Sequence, residues 1–422
     1  MSMNYLLFDA ARTTSSRVSE DTEAYVLDFL RTPRGKGSAR GSLHHLAPVD
    51  ALVQLETELV RRTGLRPDDV EDVVIGNSQQ VNDQGANIAR TSVLLAGWGD
   101  HVPGVTTNRF CASGVDAVGQ TAGRIRGGDL GLAVAGGVES TSRVPMFSDG
   151  GPLFADAEVV RRIGSIHMGV AADLNATLLG LGREELDEYG VETQQKALAA
   201  WSGGFYKNCV VPVPLPDGSE FARDELVRPG VSMQSQAALE PAFAELGASG
   251  QDALALARHP EAGEIRHLHT VGTSPALADG AALLLLGTAA AAERAGIRPR
   301  ARIVASAVAS ADPVIMLTAG QTAVERVIAK AGLRPADIDV FEFAEAFAAL
   351  CLKFRRDLDA GPERMNPNGG TIAMGHAFGA TGAILVGQCI EELEQREGRF
   401  GVAAVSGAAG LGVAVLVERV RE

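Results

Sequence analysis

The chain has 422 residues, more than one hydrophobic core ordinarily supports, so at least two core-forming units are expected. Hydrophobic residues at 46% and charged residues at 21% suit a globular enzyme, and no run of about 18 apolar residues is free of a charge or breaker, so no membrane-spanning helix is expected. A net charge of −14 argues against nucleic acid as a partner, and four scattered cysteines without metal-ligand spacing argue against a bound metal and fit a reducing cytoplasm.

Residues 1–23 are Ser/Thr/Arg-rich and lack a secretory cleavage pattern, and they read as a tail or short organellar presequence ahead of a first strand at Ala24 to Leu30. Two stretches then echo each other. TGLRPDDVEDVVIGN, from Thr63 to Asn77, returns as AGLRPADIDVFEFAE, from Ala331 to Glu345: a helix-ending Gly, a Pro-started acidic turn, then a strand. GDLGLAVAGG, Gly128 to Gly137, likewise returns as GRFGVAAVSG, Gly398 to Gly407, each an apolar strand after an alanine-rich amphipathic helix. The pattern predicts an α/β fold of two duplicated halves, 24–290 and 291–422, with a mostly parallel sheet covered on both faces. The first copy alone carries about 141–269 between its strands, too long for a structureless loop and helix-spaced at Leu181 to Trp201, which predicts an inserted loop domain.

Two places carry chemistry. Cys111, in GVTTNRFCASGVDAVGQ, stands where a β-prone segment gives way to a helix-spaced one, and the helix's free N–H groups should pull its thiol below the usual value of about 8.5. The competing reading is a buried cysteine acting as a small hydrophobe. His376 lies in NPNGGTIAMGHAFGATGA, where glycines allow close backbone approach at the mouth of a helix. A thiol in one half and an imidazole in the other form the pair that nucleophilic catalysis needs.

With RTPRGKG at Arg31 to Gly37, AGGVESTSRVPM at Ala135 to Met146, HMGVAADLNA at His167 to Ala176, ADPVIMLTAG at Ala311 to Gly320, EAFA at Glu345 to Ala348 and the terminal GLGVAVLVE, the chain resembles the thiolase family along nearly its whole length. The resemblance implies a duplicated five-layered αβαβα fold with an inserted loop domain. It makes Cys111 the nucleophile that takes an acyl group from a coenzyme A thioester and His376 the acceptor of its proton. The N–H groups of Cys111 and Ala408 would hold the oxyanion, Arg228 would meet the phosphates of coenzyme A, and His167, Ser274 and Phe347 would line the substrate channel. No cofactor is covalently bound under this reading, and no membrane or nucleic acid partner is implied. A homodimer or homotetramer is implied, with GVTTNRF beside the dimer interface.

Two positions depart from the family pattern. Ser406 stands where the family carries a second catalytic cysteine that shuttles the α-carbon proton, and Ala344 replaces an asparagine that fixes a water near the thioester oxygen. A serine hydroxyl holds its proton near neutral pH, so carbon–carbon chemistry should fall by about 10²–10⁴ while acyl loading of Cys111 survives. The sequence leaves three functions open: thiolysis or condensation with impaired rate, acyl transfer to a non-carbon acceptor or water, and a non-catalytic coenzyme A-binding subunit.

Overall fold

The computed structural model describes residues 22–421, so the expected tail lies outside the described residues apart from Thr22 and Glu23. Strands β1 (Tyr25–Arg31), β2 (Gly35–Lys36), β3 (Asp72–Gly76), β4 (Val105–Thr107) and β5 (Leu132–Ser140) precede a short hairpin, β6 (Val213–Pro214) and β7 (Glu220–Phe221). Strands β8 (Ala278–Gly287), β9 (Ala301–Ser310), β10 (Val340–Phe343), β11 (Phe400–Gly407) and β12 (Leu411–Arg419) follow. The main sheet runs β10-β11-β12-β9-β1-β8-β5-β3-β4, with β2 beside β8.

The sheet is mixed, which corrects the expectation of a mostly parallel one. Only β3 with β4, β3 with β5, and β10 with β11 run parallel. The reason is connection length. Ala408–Gly410 alone joins β11 to β12, and three residues permit a hairpin but not a parallel crossover, which takes about a dozen or more.

Side-chain alternation builds the layers. On β11, Ala403 and Val405 point into a central core while Val402 and Ala404 point into an outer one; on β5, Ala133 and Ala135 face the centre while Leu132 and Val134 face the other side. Helices Ser113–Arg126 and Phe378–Gln395 fill the central layer. Helix Pro48–Thr63 covers one outer face through Leu52, Leu55 and Leu59, and Ala319–Lys330 covers the other through Ala323, Val324 and Val327. The result is the expected five-layered duplicated α/β arrangement. Helix Phe378–Gln395 is buried along almost its whole length and carries apolar residues on all sides, as a central-layer helix must.

The two central helices start side by side because glycine lets them. A Cβ at Gly114 would lie 2.4 Å from the carbonyl oxygen of Gly379, and one at Gly382 would lie 2.3 Å from the amide nitrogen of Val115. This contact brings together the turn before the first helix, which holds Cys111, and the turn before the second, which holds His376. The stretch between β5 and β8 packs against this end, with helices Met168–Leu178 and Arg183–Ser202 as its main elements.

Candidate active site

Cys111 sits in a tight turn made by its neighbours. Phe110 takes a left-handed backbone (φ 50°), and the Ser113 hydroxyl donates to the Phe110 carbonyl (2.6 Å) while accepting from the Arg109 amide (2.8 Å). A bulky residue in that conformation persists only where its surroundings over-determine it. The turn leaves Cys111 half-buried at the wall of an apolar cavity of about 240 Å³. His167, Ser274, Phe347, His376 and Ser406 line the same cavity, so most of the expected site residues converge. A larger polar groove, about 840 Å³ and lined by Arg61, Arg62 and Arg300 among others, holds none of them.

The thiol differs from expectation. Burial pushes it up to about 12, the Glu139 carboxylate adds to the rise, and the N–H groups of Cys111 and Ala408 oppose it. The helix-end effect is outweighed because Cys111 stands outside the cap residue Ala112 of helix Ser113–Arg126, while desolvation acts on the sulfur itself. Those same two N–H groups face the sulfur, so an oxygen on a carbon bonded to Sγ would lie near both. Ala408 opens the short turn in which Ala409 is left-handed (φ 56°).

His376 is buried at 8% exposure, and its Nδ1 shares a 2.8 Å hydrogen bond with Thr381 Oγ1. Burial, reinforced by the charge of Arg34, lowers it to about 4, so the ring is neutral at pH 7 and Nε2 is the nitrogen left to take a proton. Cys111 and His376 share the cavity wall without a direct hydrogen bond.

Three supporting groups escaped the sequence reading. Glu139 accepts from the Ser78 amide (2.9 Å), the Ser78 hydroxyl (2.7 Å), Gln84 Nε2 (2.7 Å) and the Gly379 amide (3.0 Å), tying the end of β5 to the helix after His376. Arg34 donates to Asp224 Oδ2 (3.0 Å) and reaches the Gly375 carbonyl (3.4 Å), which fixes the residue before His376. Asp224 also takes Arg31 at 2.8 Å, and against a burial that would raise it these two guanidiniums hold its carboxyl at about 2. Arg31 and Arg34 in a strand-ending RTPR motif were the available signal, since buried charges must be paired.

The remaining expected residues divide. His167 caps helix Met168–Leu178, its Nδ1 accepting from the Gly169 amide (3.1 Å), and its ring lies 5.6 Å from that of Phe243. Ser274 Oγ is buried without a partner, and Phe347 packs edge-on to His269 at 5.4 Å. Arg228 is exposed and lines no part of this cavity. Ala344 is 2% exposed in the central core, not on the cavity wall, with its amide donating to the Ala404 carbonyl. Ser406, 4% exposed, has both roles of its hydroxyl in use: it donates to the Leu317 carbonyl (2.7 Å) and accepts from the Gly320 amide (3.0 Å). Among the described residues no group of three or more His, Cys, Asp or Glu is placed to hold a metal ion, and no helix is long and apolar enough to cross a membrane.

Comparison with known proteins bears on the family of the chain. Residues 24–250 match the family model described as thiolase, N-terminal domain, and residues 297–419 match thiolase, C-terminal domain. A 3-ketoacyl-CoA thiolase of Klebsiella pneumoniae is 35% identical over 411 residues, covering 94% of this chain and 100% of that protein. A 3-oxoadipyl-CoA/3-oxo-5,6-dehydrosuberyl-CoA thiolase of Escherichia coli K12 is 35% identical over 422 residues with the same coverage. The crystal structure of the Bacillus anthracis acetyl-CoA acetyltransferase superposes with a TM-score of 0.82 at 30% identity, covering 95% of this chain and 99% of that one.

Proposed function

The chain belongs to the thiolase family and is an acyl-CoA acyltransferase of thiolase type, and from that premise we propose that it forms an acyl-enzyme on Cys111 and is slow in carbon–carbon bond making and breaking. Its substrates are coenzyme A thioesters. Cys111 Sγ attacks the thioester carbonyl as its proton passes to Nε2 of neutral His376. The tetrahedral oxyanion is held by the N–H groups of Cys111 and Ala408, and the carbon–sulfur bond to coenzyme A breaks as His376 returns the proton to the leaving thiolate. A thiol held near 12 stays protonated at rest, so transfer to the base must accompany attack. His167, Ser274 and Phe347 line the approach, and Arg228, exposed on the inserted segment, is the expected contact for a phosphate of coenzyme A.

The observation that carries the slow carbon–carbon step is the hydroxyl of Ser406, whose donor and acceptor roles are both engaged by backbone. A hydroxyl so held has its proton committed to the Leu317 carbonyl and lacks the acidity of a thiol, so it is a poor shuttle for a proton at a substrate α-carbon. The same observation favours a second reading, release of the acyl group to water or a non-carbon acceptor. The test is wild-type thiolysis of acetoacetyl-CoA and deuterium exchange at the methyl of acetyl-CoA, beside acyl loading followed by intact mass. Rapid loading with exchange slower by at least about 10² is the expected result, and exchange as fast as loading overturns it.

We propose further that the molecule is a homodimer or homotetramer. The support is β4, the outermost strand, with Val105 exposed beside the exposed Leu94 and Leu95 of the adjoining helix Ile88–Leu95. Sedimentation as a monomer at micromolar concentration would contradict this.

A further inference from the structure

A thioester that reacts at Cys111 must find room for two arms, the coenzyme A thiol on one side and the acyl chain on the other. Cys111 borders two cavities. One is the 240 Å³ cavity with His376, and the other is a neck of about 30 Å³ that also touches Met146, Met168, Phe378 and Ala408. The neck shares Phe147 and Phe154 with a third cavity of about 250 Å³ whose wall includes Leu153, Val160 and Ile166. The two phenylalanines thus stand between the neck at the sulfur and a second chamber.

Those rings are arranged as a constriction. The Phe147 and Phe154 centroids lie 4.5 Å apart at a 49° tilt, and Phe110, beside Cys111, meets Phe154 edge-on at 6.3 Å. Phe147 has a left-handed backbone (φ 71°), which glycine or asparagine would occupy without strain, so its ring is held here against local preference. The chamber beyond has no Lys, Arg, Asp or Glu in its wall. Its one titratable group is His167, which burial lowers and whose Nδ1 already accepts from Gly169. A carboxylate placed there would meet no cationic partner in the wall, whereas a hydrocarbon chain would gain from contact with Leu153, Phe154, Val160 and Ile166.

We propose that this chamber is the acyl-chain site, that Phe147 and Phe154 are the residues that determine chain length, and that the chain accepted is an apolar one and not one ending in a carboxylate. The assignment rests on acyl transfer at Cys111. It distinguishes the chain chemically from the dicarboxylic-acyl substrates named for the 3-oxoadipyl-CoA relative.

The experiment measures loading of the full chain by acetyl-, hexanoyl-, octanoyl-, palmitoyl- and adipyl-CoA through time-resolved intact mass. Hexanoyl should load at least about tenfold faster than adipyl, which matches it in length but ends in a carboxylate. Phe154→Ala should raise the palmitoyl-to-acetyl ratio, and filling the chamber by Val160→Phe or Leu153→Trp should lower the octanoyl-to-acetyl ratio by about tenfold or more. Adipyl loading as fast as hexanoyl, or octanoyl and acetyl falling together in both filling variants, overturns the assignment. Methyl and octyl methanethiosulfonate separate it from the catalytic reading. Each forms a disulfide with Cys111 and expels methanesulfinate, the thiol losing its proton to solvent, so no acyl transfer is needed. If no thioester loads, the reading of Cys111 fails, and the chain site still stands or falls by whether chamber filling lowers the octyl-to-methyl labelling ratio.

Discussion

Cys111, in the turn before helix Ser113–Arg126, and Ser406, near the end of β11, border the same cavity from the two halves, yet their side chains are treated in opposite ways. The thiol of Cys111 faces a cavity and two N–H groups, with no side-chain hydrogen bond to hold it elsewhere. The hydroxyl of Ser406 borders the same cavity but is tied to Leu317 and Gly320, stitching β11 to the start of helix Ala319–Lys330. One side chain is left available for a substrate, and the other has become part of the scaffold. Lining a site is therefore not evidence of acting in it; the hydrogen-bond inventory decides.

The largest effect that could break this contrast is at the thiol. Cys111→Ser should abolish acyl-enzyme formation, a loss of at least about 10³ in loading rate by intact mass, and acyl label mapped to Cys209, Cys351 or Cys389 would refute the assignment. Those three are buried, with thiols that burial raises.

Next in size is the base. His376→Asn should slow loading by about 10²–10⁴ and leave coenzyme A affinity, measured by calorimetry, nearly unchanged. Its pH behaviour gives a sharper check. The folded value near 4 lies below the usual 6.5, so folding favours the neutral ring. The stability this contributes is complete above about pH 6.5 and is lost as pH falls through about 4, and wild-type loading should fall over the lower part of that window. Denaturant melts of His376→Asn should show a flatter dependence between pH 6.5 and 4; an equal dependence would remove His376 as its source.

The contrast sharpens if the second proton shuttle can be rebuilt. Ser406→Cys with Ala344→Asn should raise deuterium exchange at acetyl-CoA by about tenfold or more over wild type, because a thiol ionises far more readily than a hydroxyl. The buried position of Ala344, off the cavity wall, makes Ser406→Cys the dominant member of the pair. A double variant no faster than wild type would favour the non-carbon acceptor.

The smallest effect is on stability. Ser406→Ala should cost about 1–2 kcal/mol in urea unfolding, since it strands the Gly320 amide and Leu317 carbonyl, and should leave Cys111 loading within about twofold. A collapse of loading without loss of stability would show the hydroxyl to be chemical after all.

The sequence by itself determined the α/β class, the duplication and the family, and singled out Cys111 and His376 as the candidate reactive pair, because strand and helix periods and glycine-framed motifs are local signals. The expected strand at Ala24 to Leu30 is Tyr25–Arg31. Only the tertiary structure decided the state of those residues. Strand direction turned on which elements are joined by short turns. The helix end that should have acidified Cys111 lost to desolvation and to Glu139, a residue 28 positions away in sequence. His376 owes its neutrality to burial and to Arg34, and Ser406 its quiet hydroxyl to Leu317 and Gly320. Charge states and hydrogen-bond partners are set by groups far apart in the chain, which no local pattern can bring together.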